Sequence, residues 1–157
     1  MFKQGAGTWT VSGNSSFTGM TFITNGTVKL GAVGTATTGP LGSSTGYVSV
    51  LGGLAMLDLN GYSLATPREL RLTNLGANNL LLTNSVAGSP VTYPGLLRFN
   101  GDVTIQAIGD IDFTHTGTIV GAGPALNNSA ATTAMAIPTA AAMGTFRCRG
   151  EPEEEES

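Results

Sequence analysis

Hydrophobic and polar residues alternate with a period of two along most of the first 123 residues. The segment TWTVS places Trp9 and Val11 on one face, and TVKL places Val28 and Leu30 on either side of Lys29. The same alternation recurs in AMLDLN, ELRLT, LRFN, DVTIQ and DIDFT, where it predicts an inward face of Leu57, Leu59, Leu70, Leu72, Leu97, Phe99, Val103, Ile105, Ile111 and Phe113. Because no stretch before residue 123 combines a helical period with caps, we predict an all-β chain.

The predicted strands are short and are separated by glycine, three times as Asn-Gly, at 25–26, 60–61 and 100–101. Asn-Gly is typical of an antiparallel hairpin. A parallel coil uses similar corners, however, and stacks each strand on the strand one turn earlier. Similar strands begin at Thr8, Thr27, Val48, Leu70 and Leu96. Three strands of about 5 residues and three short corners make a coil of roughly 20 to 25 residues, so this spacing favours the parallel coil.

Charge is scarce and unevenly distributed along the chain. The sequence has 7 Lys and Arg and 10 Asp and Glu, and five of the acids lie in the final EPEEEES. A nucleic-acid-binding face or a polybasic membrane patch would need many more cations. No apolar run approaches the roughly 20 residues of a membrane helix, and MFKQGAG lacks the apolar core of a signal peptide. We therefore expect no nucleic-acid partner and no transmembrane segment in this chain.

The first repeat-like stretch, KQGAGTWTVSGNSSFTGMTFITNGTVKLGAVG, resembles the autotransporter-associated β-strand repeat of bacterial autotransporter passengers. It departs from the family pattern at Phe17, which replaces a tyrosine, and at Met20, which replaces a glycine. The matching positions are Lys3, Gly5, Gly7, Thr8, Thr10, Ser12, Gly13, Thr18, Gly19, Thr21, Gly26 and Leu30. With its later segments the resemblance covers about residues 3–123.

The resemblance implies a right-handed parallel β-helix, a solenoid of about five coils, in a protein that is exported and displayed on the bacterial surface or released. It implies no single activity, because the same fold carries many functions. We also expect the chain to be a piece of a longer array.

Few residues could perform chemistry. Asp110 and Asp112 share a face and could serve acid–base or calcium-binding roles, but solvent-facing positions beside the core residues Ile111 and Phe113 are the favoured interpretation. His115 has no evident partner for general-base work. The single cysteine, Cys148, excludes an internal disulfide and a cysteine-based zinc cluster. We therefore predict no catalytic residue, no cofactor and no metal site.

Two further groups of residues have simple interpretations. Arg68 and Arg71 lie beside Glu69, and we interpret them as a solvated charge pair. Trp9 and Tyr47 could stack on sugars, but packing in the core or at the edge of a coil is favoured.

The sequence favours a non-catalytic structural or adhesive segment of a cell-surface or secreted passenger, acting as a stalk or binding surface. Its partners would be glycans, extracellular matrix or another copy that pairs with the β-helix ends. One alternative is part of a carbohydrate-active β-helix enzyme, resembling a polysaccharide lyase or hydrolase. Such an enzyme needs three or more acids or bases from successive coils. Another alternative is a trimeric β-structure like a phage fibre. Its oligomeric state would distinguish it from the other two.

The alternation ends after Gly123, which divides the chain into three predicted parts. Residues 1–123 form the β-helix region, 124–150 an Ala-rich irregular or capping segment with a weak helical tendency broken at Pro138, and 151–157 an acidic disordered tail. A frameshift, a truncated reading frame or a degenerate repeat end would each explain the change in character.

Overall fold

The computed structural model describes residues 1–76, 80–101 and 103–113, together with four short strands after them. All of its regular elements are β-strands, which form three sheets, and the described residues contain no helix. This confirms the predicted all-β class. No helix in this part of the chain is long and apolar enough to cross a membrane.

The three sheets are named A, B and C. Sheet A contains, in spatial order, β1 (Phe2–Lys3), β3 (Thr21–Ile23), β5 (Tyr47–Leu51), β7 (Glu69–Thr73), β10 (Leu97–Asn100) and β13 (Val120–Ala122). Sheet B contains β2 (Thr8–Val11), β4 (Gly26–Leu30), β6 (Ala55–Asp58), β8 (Leu80–Asn84), β11 (Val103–Ala107), β14 (Leu126–Asn128) and β15 (Ala134–Met135). Sheet C contains β9 (Val91–Tyr93), β12 (Ile111–Phe113) and β16 (Phe146–Cys148).

The chain alternates between sheets A and B up to β8, after which strands of sheet C enter the order, and from β3 to β14 the strands pair in parallel with those of neighbouring coils. Phe2 pairs with Phe22 in sheet A, and Thr8 pairs with Thr27 in sheet B. Antiparallel pairing among the described residues occurs between β12 and β16, between β14 and β15, and at one isolated bridge from Ser15 to Gly39. The fold is therefore a parallel β-solenoid of about five turns, as predicted.

The Asn-Gly pairs form corners between sheets rather than hairpins. Asn25 and Gly26 connect β3 to β4, with Gly26 at a φ of 72°, and Gly101 follows β10 at a φ of 84°. Only glycine adopts such angles without strain. A Cβ on Gly26 would also lie 2.5 Å from the carbonyl oxygen of Gly7 in the previous coil. The close approach of two coils therefore requires glycine here.

The predicted stacking is correct for strands that lie in the same sheet and wrong for one pair of strands that lie in different sheets. Thr8 stacks on Thr27 and Val48 stacks on Leu70, as expected. Thr27 and Val48, however, lie in different sheets, so they do not pair. The predicted start of the last strand, Leu96, is one residue too early, because Leu70 pairs with Leu97. Alternation looks the same in both sheets, and residues 31–46 contain no strand to reveal the change of sheet.

The apolar core lies between the sheets and contains the residues that alternation predicted. Val28, Leu30, Leu57, Leu59, Leu70, Leu72, Leu97, Phe99, Val103, Ile105 and Ile111 are all buried. Val11 is half-buried, and the Phe113 side chain lies outside the described residues. Burying each of these aliphatic side chains stabilises the fold by about 1.5 to 3 kcal/mol.

Trp9 is the exception, because its side chain is 45% exposed. It pairs with the buried Val28 and so lies on the inward row, but β2 is the last strand of sheet B. In sheet B, β2 pairs with β4 on one side, and no described strand pairs with its other side. The indole instead lies 5.3 Å from the ammonium group of the buried Lys3.

The predicted boundaries at residues 123 and 150 stay predictions. Three short strands, β14, β15 and β16, lie between residues 124 and 150. The rest of this Ala-rich segment, including Pro138, lies outside the described residues, as do residues 151–157 and His115.

Candidate functional site on the outer face of sheet A

The outer face of sheet A carries aromatic and charged side chains in register. Parallel pairing aligns Phe2, Phe22, Ser49, Arg71 and Arg98 on successive strands, and it aligns Tyr47 with Glu69 in the adjacent row. Side chains at alternate positions of a strand point to opposite faces. The neighbouring row of Ile23, Val50, Leu72 and Phe99 is buried in the core. We call the outward set Phe2, Phe22, Tyr47, Glu69, Arg71 and Arg98 the aromatic–arginine stripe.

The first half of the aromatic–arginine stripe is a chain of ring contacts. The ring centroids of Phe2 and Phe22 are 5.9 Å apart, and those of Phe22 and Tyr47 are 5.8 Å apart with an edge-to-face angle of 84°. Both separations suit favourable aromatic pairing. Phe2 is 52% exposed, and the neighbouring Met20 is 46% exposed. This end of the stripe therefore presents apolar surface to solvent.

The second half is a cluster of three charged side chains from two successive coils. Glu69 Oε1 accepts hydrogen bonds from Arg71 Nε at 2.8 Å and from Arg98 Nε at 2.7 Å. Glu69 Oε2 accepts a third from Arg71 Nη2 at 3.1 Å. Two guanidinium groups thus share one carboxylate, and the cluster has a net charge of +1.

These contacts set the protonation state of Glu69. The hydrogen bond from Arg71 lowers the pKa of the Glu69 carboxyl below its ordinary value, and Arg98 lowers it further, while partial burial opposes both. Glu69 is therefore ionised near neutral pH, and it is poorly suited to donate a proton as a general acid.

Arg71 links the two halves of the aromatic–arginine stripe. Its guanidinium carbon lies 3.7 Å from the centroid of the Tyr47 ring, a distance typical of stacking. The hydrogen bonds to Glu69 and the ring of Tyr47 together hold this guanidinium in place. Among the described residues, the contact that holds the Arg98 guanidinium is made by its Nε, and 43% of the side chain is exposed.

Arg68 does not join the charge cluster, and its predicted solvated position is wrong. Only 2% of the residue is exposed. Its Nη1 donates to the carbonyl oxygen of Leu41, and its Nη2 donates to those of Gly19 at 2.8 Å and Tyr47 at 3.2 Å. Burial lowers the pKa of this guanidinium. Arg68 lies just before β7 and two residues before the buried Leu70, so extending the alternation by one step would have placed it on the inward side.

Asp58 lies between the inward residues Leu57 and Leu59, a position that alternation places on the outer face, yet it is buried. Its Oδ1 accepts hydrogen bonds from the backbone of Asn60 at 2.8 Å and of Ser85 at 3.2 Å, and its Oδ2 accepts one from the Ser85 hydroxyl at 2.8 Å. Lys29 Nζ lies 3.5 Å from the same carboxylate. These contacts join neighbouring coils, so Asp58 has a structural role at the end of β6.

The remaining sequence candidates do not assemble into one site. Asp112 lies in β12 beside Thr92, whereas Asp110 precedes that strand and its carbonyl oxygen accepts a hydrogen bond from Val91. Both belong to the sheet C side of the solenoid. Tyr47 is part of the aromatic–arginine stripe, but Trp9 lies in sheet B. Within the part of the chain that the structure describes, no three His, Cys, Asp or Glu residues are placed to hold a metal ion.

Comparison with known families agrees with this architecture. The family model described as passenger-associated-transport-repeat matches residues 1–30. Residues 1–30 are therefore similar to this repeat. The matched segment contains β1 to β4, the first two coils, and it contributes Phe2, Met20 and Phe22 to the surface described above.

This match and the solenoid confirm the predicted resemblance to a fragment of an autotransporter passenger β-repeat. The family model does not extend beyond residue 30, and for the later residues the resemblance to a passenger rests on the parallel coils. No curated protein and no solved structure matches the chain.

Proposed function

We propose that this chain is a non-catalytic structural segment of an exported passenger and that it presents a binding surface outside the bacterial cell. The observation that carries the proposal is the passenger-associated transport repeat, whose two coils continue into an unbroken parallel solenoid. Each coil buries its apolar row and pairs its backbone groups with the next coil. Such a stack suits a stiff stalk whose side faces are available to ligands.

The charge cluster supports binding more than catalysis. The enzyme hypothesis required at least three acids or bases from successive coils, and Glu69, Arg71 and Arg98 meet that number. Glycoside hydrolysis, however, uses a pair of carboxyl groups with distinct protonation states. The aromatic–arginine stripe has one carboxylate, and two guanidinium groups already occupy its oxygens.

Surface display tests the proposal directly. The chain would be placed between a signal peptide and an outer-membrane β-barrel anchor in a Gram-negative host. We expect external protease to release a folded fragment from intact cells. The matched control is Leu57→Asp, which places a charge in the core and should abolish display or protease resistance. Retention of the unmodified chain inside the cell would contradict the proposed role.

Incubation of the purified chain with polysaccharides tests the enzymatic alternative. We expect no new reducing ends and no unsaturated sugar products. If cleavage occurred and was lost in Glu69→Gln or in the double variant Asp110→Asn and Asp112→Asn, the enzyme hypothesis would replace ours. Self-association through the solenoid ends stays a prediction, which sedimentation of the isolated chain tests.

A further inference from the structure

We propose that the aromatic–arginine stripe binds a linear polysaccharide that bears carboxylate groups. This inference rests on the proposed function, because such a ligand would be met outside the cell. It assigns the ligand class of the surface and the side chains that recognise it.

The shape of the aromatic–arginine stripe favours an elongated ligand. Its side chains come from five consecutive strands of sheet A, from β1 to β10. Neighbouring strands are about 4.8 Å apart, so the stripe extends roughly 19 Å along the solenoid axis. The strands beneath it are paired on both sides from β3 to β10, which holds the side chains of this surface at fixed spacing. A long, narrow ligand can contact the whole stripe, whereas a compact molecule can contact only part of it.

The charge of the aromatic–arginine stripe favours an anion. Glu69 is its one acid, and three hydrogen bonds from Arg71 and Arg98 already neutralise it. Arg98 uses only Nε in its contact with Glu69, and its side chain is 43% exposed. The two Nη groups of Arg98 are therefore available to a ligand carboxylate, which guanidinium groups bind through paired hydrogen bonds.

The aromatic rings favour a sugar between or beside those carboxylates. The faces of pyranose rings carry C–H groups that pack against aromatic rings. Phe2 and Phe22 present rings on two consecutive strands, Tyr47 on the next strand supports Arg71 on its ring, and Arg71 and Arg98 follow on the next two. A uronic-acid polymer supplies both groups, because it repeats apolar ring faces and carboxylates along one extended chain. A neutral glycan would leave the cationic part of the surface unused.

The binding surface is organised before any ligand arrives. Arg71 is fixed by two hydrogen bonds to Glu69 and by stacking on Tyr47. Less side-chain entropy is then lost on binding. Glu69 therefore acts as a positioning residue, which orients both guanidinium groups without contacting the ligand.

Calorimetry with polygalacturonate tests this assignment, with uncharged dextran as the comparison ligand. We expect binding to polygalacturonate that weakens as salt rises, and no binding to dextran. Arg98→Gln should weaken binding about tenfold, since it removes a charged hydrogen-bonding partner. Phe2→Ser should weaken it about threefold through loss of apolar contact. Thermal melting would check that each variant is folded.

Lys29→Gln is the matched control, because it removes one positive charge from the outer face of sheet B. Asp58 keeps its other three hydrogen bonds, so this variant should fold and should bind polygalacturonate normally. Equal weakening in Arg98→Gln and Lys29→Gln would overturn the proposal, because attraction would then depend on overall charge alone. Equal binding of dextran would overturn the role of the carboxylates.

The calorimetry and the surface-display experiment together distinguish failure of the ligand assignment from failure of the passenger role. A chain that is displayed on cells but does not bind polygalacturonate would overturn the ligand assignment and leave the passenger role standing. Binding of a second copy of the chain to the aromatic–arginine stripe, detected by sedimentation and lost in Phe2→Ser, would likewise replace the polysaccharide with a protein partner. Failure of display would instead overturn the passenger role.

Discussion

Two arginines three positions apart have opposite environments in this protein. Arg68 lies in a corner, where it is buried and donates to three backbone carbonyl groups of other coils. Arg71 lies in strand β7, where it is partly exposed and pairs with Glu69. Arg68 lies two residues before the buried Leu70 and shares its side of the chain, whereas Arg71 lies between Leu70 and Leu72 and points outward. The corner differs from the strand in what surrounds the buried side chain, because carbonyl groups of other coils contact Arg68.

The corner has a particular need for a long donor. Where coils change direction, carbonyl groups leave the strand ladders and must find other donors. Arg68 supplies several donors from one side chain, and its aliphatic portion tolerates burial. The carbonyl oxygen of Arg68 itself accepts a hydrogen bond from the Tyr93 hydroxyl at 2.8 Å. Through these hydrogen bonds Arg68 connects the segments that contain Gly19, Leu41, Tyr47 and Tyr93.

The largest expected effect comes from replacing each arginine by methionine. Arg68→Met leaves the carbonyl groups of Gly19, Leu41 and Tyr47 without this donor, and we expect it to reduce the free energy of unfolding by about 3 kcal/mol. Arg71→Met loses only a partly exposed pair, so its effect should stay below about 1 kcal/mol. Urea denaturation of both variants measures the difference. Similar losses in the two would remove the distinction between corner and strand.

Glycine substitutions near the same corner should have the next largest effect. A Cβ on Gly46 would lie 2.6 Å from the carbonyl oxygen of Gly19 and 3.1 Å from that of Thr18, so Gly46→Ala should cost about 2 kcal/mol. A Cβ on Gly19 would meet nothing within 4 Å. Gly19→Ala should therefore change the free energy of unfolding by less than about 0.5 kcal/mol. A tolerated Gly46→Ala would show that the corner is loosely packed.

Removal of a hydroxyl should have a smaller effect that again depends on location. Tyr93→Phe removes the donor to the Arg68 carbonyl oxygen in a fully buried position, and we expect a loss of about 1 kcal/mol. Tyr47→Phe keeps the ring under Arg71, and Tyr47 is only partly buried, so the substitution should be nearly neutral. Thermal melting compares the two. A larger loss from Tyr47→Phe would reverse the expected order, in which the hydroxyl bonded to the corner residue Arg68 contributes more.

The smallest effect is the dependence of stability on pH through Glu69. Because the folded state lowers the pKa of this carboxyl, Glu69 stabilises the fold above its unfolded pKa of about 4.3, and this contribution disappears as pH falls through the lower folded pKa. Solvent screening limits it to below about 1 kcal/mol. Glu69→Gln should reduce the difference in urea midpoint between pH 7 and pH 3. An unchanged difference would show that the three charges contribute nothing measurable.

The sequence by itself determined the strand class, the inward row and the glycine corners. These features are local: side chains alternate every two residues in any strand, and a corner at positive φ favours glycine, or asparagine as at Asn60, whatever surrounds it. The passenger-type repeat was visible for the same reason, since its pattern specifies strands and corners in order. Leu57 and Leu72 were therefore assigned correctly without any knowledge of their neighbours.

Only the tertiary structure decided which coil lies on which, and so which distant residues meet. The pairing of Thr27 with Met56 depends on how residues 31–46 cross the solenoid, and local alternation carries no information about that path. Arg68 and Asp58 are buried because carbonyl and amide groups from other coils surround them, and Trp9 is exposed because no coil covers β2 in the structure. The aromatic–arginine stripe arises in the same way. Its residues are far apart along the chain, and parallel stacking alone brings them onto one face.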